Sequence, residues 1–232
     1  LRPDITPSIA RCVAKYYADE ELPVRLCYTG NTYTNTLKLQ GKLKEVTQIG
    51  AELVNDDSSA ADAEIIATVI DCFNEIGISD FQIEIGQIDY FKGLVAESGI
   101  SEDEEDQIKE YIHIKNFFGL EEYVDALDIS DSLKKAFVAF DSLFGGISML
   151  DKAEGYVSNE TSLEAVKRLR RVYAALECYG YQDHISFDLG MLDGYNYYTG
   201  IIFRGYTYGT GDAVVKGGRY NNLLKQFGKD AP

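Results

Sequence analysis

Histidine is scarce in this sequence, and no cysteine has a near neighbour of its kind. His113 and His184, with cysteines at 12, 27, 72 and 178, form no CxxC pair and no ligand spacing, which excludes the usual zinc patterns. No metal and no other cofactor is expected. Neither histidine stands in a nucleophile-elbow context, so a histidine-based catalytic triad lacks support. The thiols read as buried or idle side chains of a reducing compartment. GxGxxG and P-loop patterns are missing, which removes the common nucleotide-loop readings. No apolar run approaches the ~18 residues of a membrane span, and no membrane partner is expected. An initiator methionine and a signal-peptide pattern are also lacking; this fits a piece of a longer chain with a cytoplasmic location.

Basic charge is short as well. Against 38 acidic residues stand 22 lysines and arginines, a net charge of −16 with a pI near 4.5. So acidic a surface repels phosphate backbones, and no nucleic-acid partner is expected. The one basic cluster, Lys167-Arg168-Leu169-Arg170-Arg171, reads either as a solvated helix face or as a site for an anion or acidic partner.

What is present is the make-up of an ordinary globular protein. The 232 residues are 45% hydrophobic and 26% charged, enough for one substantial core or a core with a smaller helical appendage. Thr6-Pro7 predicts a helix start, Thr6 as N-cap and Pro7 in the first turn, with Ile9, Val13 and Tyr16 or Tyr17 at helical spacing up to about Asp19. A short strand is predicted over Val24 to Tyr28, then a polar hairpin loop from Thr29 to Gly41. Glu45 to Val54 reads as a strand with two faces. Thr47, Ile49, Ala51 and Leu53 point one way; Val46, Gln48, Gly50 and Glu52 point the other. That second face is either a polar notch, opened by a glycine that lets something approach the backbone, or simply a solvated face.

Further along, Asp62 to Ile76 predicts an amphipathic helix closed by Gly77, and Phe81 to Ile85 a strand. Ser101 with Glu104 reads as a capping box, and the acidic run Glu102 to Asp106 suits a helix N-terminus. Helical patterns follow near 121–127, 131–144 and 161–179, the last opening at Thr161-x-x-Glu164 and ending at Gly180. Ile185 to Leu192 and Ile201 to Tyr206 read as strands. Between them lies Asp193-Gly194-Tyr195-Asn196-Tyr197-Tyr198-Thr199-Gly200, either part of a pocket for a small ligand or a tyrosine-rich hairpin on its own sheet. Gly209-Thr210-Gly211-Asp212 turns the chain into Ala213 to Lys216. Gly217-Gly218-Arg219-Tyr220 before a short helix reads as a turn or an anion cradle. Strands joined by hairpins, with helices grouped apart, argue for an α+β fold on an antiparallel sheet.

Four segments taken together resemble the histidyl-tRNA synthetase catalytic core. They are Leu1-Arg2-Pro3-Asp4-Ile5-Thr6, Thr47-Gln48-Ile49-Gly50-Ala51-Glu52, Gly194 to Gly200, and Gly217-Gly218-Arg219-Tyr220. The resemblance implies a class II aminoacyl-tRNA synthetase-like antiparallel sheet flanked by helices. Residues 1–99 and 185–232 would form the two parts of that core, and 100–184 a mainly helical insertion. It also implies a histidine pocket where the polar strand face and the tyrosine stretch meet. Asp4, Thr6 and Gln48 would hold the α-ammonium group. Glu52, Tyr195, Tyr197 and Tyr198 would recognise the imidazole, whose two nitrogens suit a carboxylate and a phenol.

Two groups share this core: active synthetases, and the regulatory subunit of short-form ATP phosphoribosyltransferase in histidine biosynthesis. Synthetases meet the charge that develops on ATP with an arginine in a Phe-Arg-x-Glu segment and a second arginine before the tyrosine pair. The first segment aligns here with Tyr33-Thr34-Asn35-Thr36, and the second arginine with Asp193. A carboxylate there repels a phosphate, and the loss of even one such group typically costs ~10²–10³ in rate. The departures therefore imply a non-catalytic subunit, a homodimeric core within a hetero-oligomer, that supports a short-form phosphoribosyltransferase catalytic subunit and relays histidine as effector. The alternatives are an active synthetase fragment and a synthetase-like histidine-sensing module.

Overall fold

The structure, a computed structural model, describes residues 1–35, 43–192 and 197–232. The chain forms two compact units. One comprises Leu1–Ala61 with Tyr220–Pro232, the other Asp62–Arg219.

In the first unit, helix α1 (Thr6–Tyr16) precedes an antiparallel pair, β1 (Val24–Tyr33) and β2 (Glu45–Val54). Their register runs from Val24↔Val54 to Tyr33↔Glu45. β1 thus continues through Thr29 to Tyr33, where the sequence predicted loop. The polar residues there are satisfied across the ladder. Asn31 Nδ2 and Tyr33 OH donate to Glu45 Oε1 at 2.7 and 2.8 Å, and Thr47 Oγ1 donates to Asn31 Oδ1 at 2.8 Å. Cross-strand pairs of this kind stabilise a sheet as apolar ones do, so polarity alone did not mark a loop. The rest of the expected loop, 36–42, lies outside the described residues.

The N-terminus of α1 also differs from expectation. Ile5, not Thr6, stands at the N-cap position, without a side-chain cap, and Thr6 is already helical. Asp4 Oδ1 accepts from the Thr6 amide at 3.2 Å. The Thr6 hydroxyl is thereby released for another partner. The returning segment places a 3-10 turn, Leu224–Phe227, against α1. The Asn55 amide donates to the Pro232 carbonyl at 2.9 Å. Ile5, Ala10, Val13, Val54, Leu223 and Leu224 are buried.

The second unit takes most of α2 (Ser59–Glu75) and then β3 (Phe81–Gln87), α3 (Ile88–Ser98), α4 (Glu102–His113), α5 (Phe117–Asp125) and α6 (Asp131–Val138). After these come β4 (Phe144–Gly145), α7 (Met149–Gly155), α8 (Glu160–Tyr179), β5 (Ile185–Asp188), β6 (Ile201–Thr207) and β7 (Val215–Gly218). The predicted capping box is formed: Ser101 accepts from the Glu104 amide, while the Glu104 carboxylate takes the Ser101 amide at 2.7 Å. α8 starts earlier than predicted because Asn159 Oδ1 caps the Ser162 amide at 2.7 Å. It stops at Gly180, whose φ of 80° is left-handed. On α2 the buried stripe is Ala63, Ile66, Ala67, Ile70 and Phe73, and Ile76 is exposed.

Strand order in the second unit is β4-β5-β3-β6-β7. β3 pairs parallel with β5 and antiparallel with β6. β5 and β6 therefore flank β3 and do not pair with each other, so they are not the two arms of a tyrosine-rich hairpin. One face of the sheet, with Ile83, Ile85 and Phe187, shares a core with Phe91, Phe137 and Leu169 from the helices. The four cysteines are free, and all but half-buried Cys12 are exposed, so of the expectation of buried or idle thiols the first half does not apply to those three. Among the described residues, no helix is long and apolar enough to cross a membrane.

Candidate functional site

Glu52 is the centre of the polar cluster in the first unit. It lies on β2, on the face with Gln48 and Gly50, and is 8% exposed, whereas Ile49 on the opposite face is 76% exposed. The polar face is thus the inner one and the more apolar face the outer, the reverse of a solvated Gln/Glu face. A buried carboxylate needs donors. Thr6 Oγ1 donates to Glu52 Oε1 at 2.8 Å, and Tyr220 OH donates to Oε2 at 2.5 Å. Burial pushes the Glu52 carboxyl up, the two hydroxyls pull it back down, and the Asp4 charge adds to the rise.

A second chain of hydrogen bonds lies beside it. Thr32 Oγ1 donates to Gln48 Oε1 at 3.1 Å, and Gln48 Nε2 donates to Tyr28 OH at 3.3 Å. Burial raises the Tyr28 phenol, as does the charge of Glu52. Tyr28 stands directly across the ladder from Gly50. A Cβ at Gly50 would lie 2.3 Å from Tyr28 Cζ and OH. The space that glycine opens is therefore occupied by the Tyr28 ring, whose hydroxyl accepts from Gln48.

Of the residues expected to bind histidine, Asp4, Thr6, Gln48 and Glu52 all belong to this unit. Thr6 touches Glu52, Asp4 holds the Thr6 amide, and Gln48 is linked to Glu52 through Tyr28, which is hydrogen-bonded to Thr6 and feels the Glu52 charge. Tyr197 and Tyr198 belong to the second unit, and Tyr195, like Asp193, lies outside the described residues. The rings of Tyr197 and Tyr198 meet edge to face at 4.9 Å. A Cβ at Gly218 would come within 2.9 Å of the Tyr198 ring, and one at Gly217 within 2.2 Å of the Phe203 ring. The glycine pair is thus strand backbone crossed by two aromatic rings, and neither a turn nor an anion cradle at a helix start. Arg219 after it pairs with Asp62.

The basic cluster on α8 is likewise engaged by acids. Arg168 pairs with Asp62, Arg170 with Asp151 and Glu154, and Arg171 with Glu164. Tyr220, Tyr28 and Thr32 were not foreseen as members of the Glu52 cluster. The alternation of β1 would have placed Tyr28 and Thr32 on one face had the strand been extended past Tyr28. Nothing local in the sequence points Tyr220 at a residue so far back in the chain. No group of His, Cys, Asp and Glu among the described residues is arranged to hold a metal ion.

A family model described as Histidyl-tRNA synthetase matches residues 1–232. The ATP phosphoribosyltransferase regulatory subunit of Acetivibrio thermocellus is 44% identical over 232 residues, covering 100% of this chain and 56% of that protein. Its namesake in Clostridium acetobutylicum is 40% identical over 234 residues, covering 100% and 58%. A crystal structure described as an ATP phosphoribosyltransferase regulatory subunit/histidyl-tRNA synthetase from Bacillus halodurans C superposes with a TM-score of 0.91. Its identity is 35%, with 100% of this chain and 60% of that one covered. The chain spans little more than half the length of these relatives. With its class II synthetase-like α+β fold and a match along its whole length, the chain belongs to the histidyl-tRNA synthetase family.

Proposed function

We propose that this chain serves in the non-catalytic regulatory subunit of a short-form ATP phosphoribosyltransferase, the first enzyme of histidine biosynthesis. In this role it supports the catalytic subunit and relays histidine feedback in the cytoplasm. The observation that carries the reading is a contrast within one family core. Thr6 and Tyr220 donate to Glu52 and Gln48 donates to Tyr28, an arrangement that we read as a histidine-type cluster. The segment that carries the activating arginine in synthetases reads Tyr33-Thr34-Asn35-Thr36, and Asp193 stands where the second arginine is expected. The relatives named as regulatory subunits support the same choice.

In this reading Glu52 accepts an N–H of the ligand's imidazole, while Asp4, Thr6 and Gln48 take its α-ammonium group. The tyrosines Tyr195, Tyr197 and Tyr198 are proposed as further ligand contacts on the family pattern. The subunit forms a homodimeric core inside a hetero-oligomer, and feedback requires histidine to bind the two states of that assembly unequally. Residues 1–99 and 185–232 are read as the core, and 100–184 as its helical insertion.

Calorimetric titration of the protein with histidine, alongside Glu52→Ala and Tyr198→Phe, tests the pocket; unchanged affinity in both variants would place the ligand elsewhere. Light scattering with a short-form phosphoribosyltransferase tests the partner, and no complex at micromolar concentration would favour a free-standing sensor. Robust histidine-dependent ATP–pyrophosphate exchange would instead identify an active synthetase.

A further inference from the structure

The chain passes between its two units twice, at Ala61–Asp62 and at Arg219–Tyr220. On the second unit's side, the two crossing residues are bonded to each other. Asp62 Oδ1 accepts from Arg219 Nε at 2.8 Å. Asp62 Oδ2 accepts from Arg168 Nε at 2.8 Å and pairs with Arg168 Nη2 at 2.7 Å. The Asp62 side chain is 4% exposed, that of Arg219 8% and that of Arg168 17%. A carboxylate shared between two guanidinium groups almost out of water has little freedom. The planar forks fix its orientation, and removing one member leaves buried charge uncompensated.

Arg219 is also tied to the tyrosine segment through its backbone. Its carbonyl accepts from the Thr199 amide at 2.8 Å, and its own amide donates to the Ile201 carbonyl at 2.7 Å. A Cβ at Gly200 would rest against Arg219 Cδ at 3.4 Å. Arg219 thus borders the segment carrying Tyr197 and Tyr198. The next residue is Tyr220, whose hydroxyl donates to Glu52.

We infer that Asp62 and Arg168 are positioning residues for ligand recognition. They fix Arg219, and Arg219 sets the 197–200 segment. This inference rests on the reading of Tyr197 and Tyr198 as histidine contacts. It assigns a role in the histidine response to a carboxylate outside the proposed contacts.

The test combines histidine calorimetry with amide hydrogen exchange on the wild type, Asp62→Asn, Arg168→Lys and Arg168→Ala. Asp62→Asn keeps the shape and removes the charge. It is expected to speed exchange at the Thr199 and Arg219 amides while the interior of α8 stays protected, and to weaken histidine binding by roughly 5- to 150-fold. Arg168→Lys, which keeps a cation, should retain more affinity than Arg168→Ala. Wild-type affinity in Asp62→Asn would overturn the inference, as would a loss of protection spread evenly over α2 and α8. If the wild type takes up no histidine, the functional reading fails instead. Exchange then decides the positioning alone: local loosening at Thr199 and Arg219 supports it, and unchanged rates there refute it.

Discussion

The contact between Tyr220 and Glu52 allows the cluster to be tested quantitatively. Tyr220→Phe removes one hydroxyl and almost nothing else from a side chain that is 8% exposed. What it takes away is a 2.5 Å hydrogen bond to a buried carboxylate oxygen. A hydrogen bond to a charged group contributes about 1.5–3 kcal/mol, against about 0.5–1.5 kcal/mol between neutral partners. For a chain of this size that loss lowers the thermal midpoint by about 3–12 °C. A double-mutant cycle with Glu52→Gln isolates the pair from the other surroundings of each residue. Circular dichroism melts of the four proteins at pH 7 and pH 4 provide the readout. The coupling should be larger at the higher pH, where more of the carboxyl is charged, and should shrink toward the neutral value as the carboxyl takes up its proton. A coupling near zero, or one that does not change with pH, would refute the assignment of Tyr220 as the donor that stabilises charged Glu52.

Glu52→Gln by itself probes the cost of the buried charge. Burial raises the folded-state value of Glu52 above its ordinary one, so its contribution to stability is complete in acid and lost as pH rises through the raised value. The Gln variant should therefore gain stability relative to wild type between pH 4 and pH 7 in urea titrations, while histidine affinity falls; a constant difference across that range would contradict the shift. Gly217→Ala places a methyl group against the buried Phe203 ring. Overpacking of about 1–3 kcal/mol should outweigh the ~0.5–1 kcal/mol that alanine gains over glycine in a strand, and adding Phe203→Leu should recover part of the loss in chemical denaturation. Gly50→Ala forces the Tyr28 ring off its seat beside Gln48. Calorimetry should show weaker histidine binding with a small change in melting midpoint, and unaltered affinity would show that Tyr28 plays no part.

The sequence was most legible where a signal is local. β2 has the predicted bounds, Glu45–Val54, because a two-faced pattern from Val46 to Leu53 favours one register. The capping box at Ser101 and the stop at Gly180 follow from neighbouring residues alone. Asp193, Thr34 and Thr36, which the family resemblance sets opposite two arginines and a glutamate, are read from the sequence as residue identities alone. β1 was cut short because Asn31 and Thr32 look like loop residues until Glu45 and Gln48 are set opposite them.

By itself, then, the sequence determined most of the element types, the α+β class and the residue types offered for recognition, since each depends on chemistry within a few positions. Tertiary structure decided what those residues meet. Gly50, Gly217 and Gly218 proved to be seats for the rings of Tyr28, Phe203 and Tyr198. The arginine after the glycine pair proved to be bound by Asp62 and not open to an anion. Glu52 gained its donors from Thr6 and from Tyr220, 168 positions further along. Such pairings are fixed by strand order and packing, which bring together side chains that no local pattern relates.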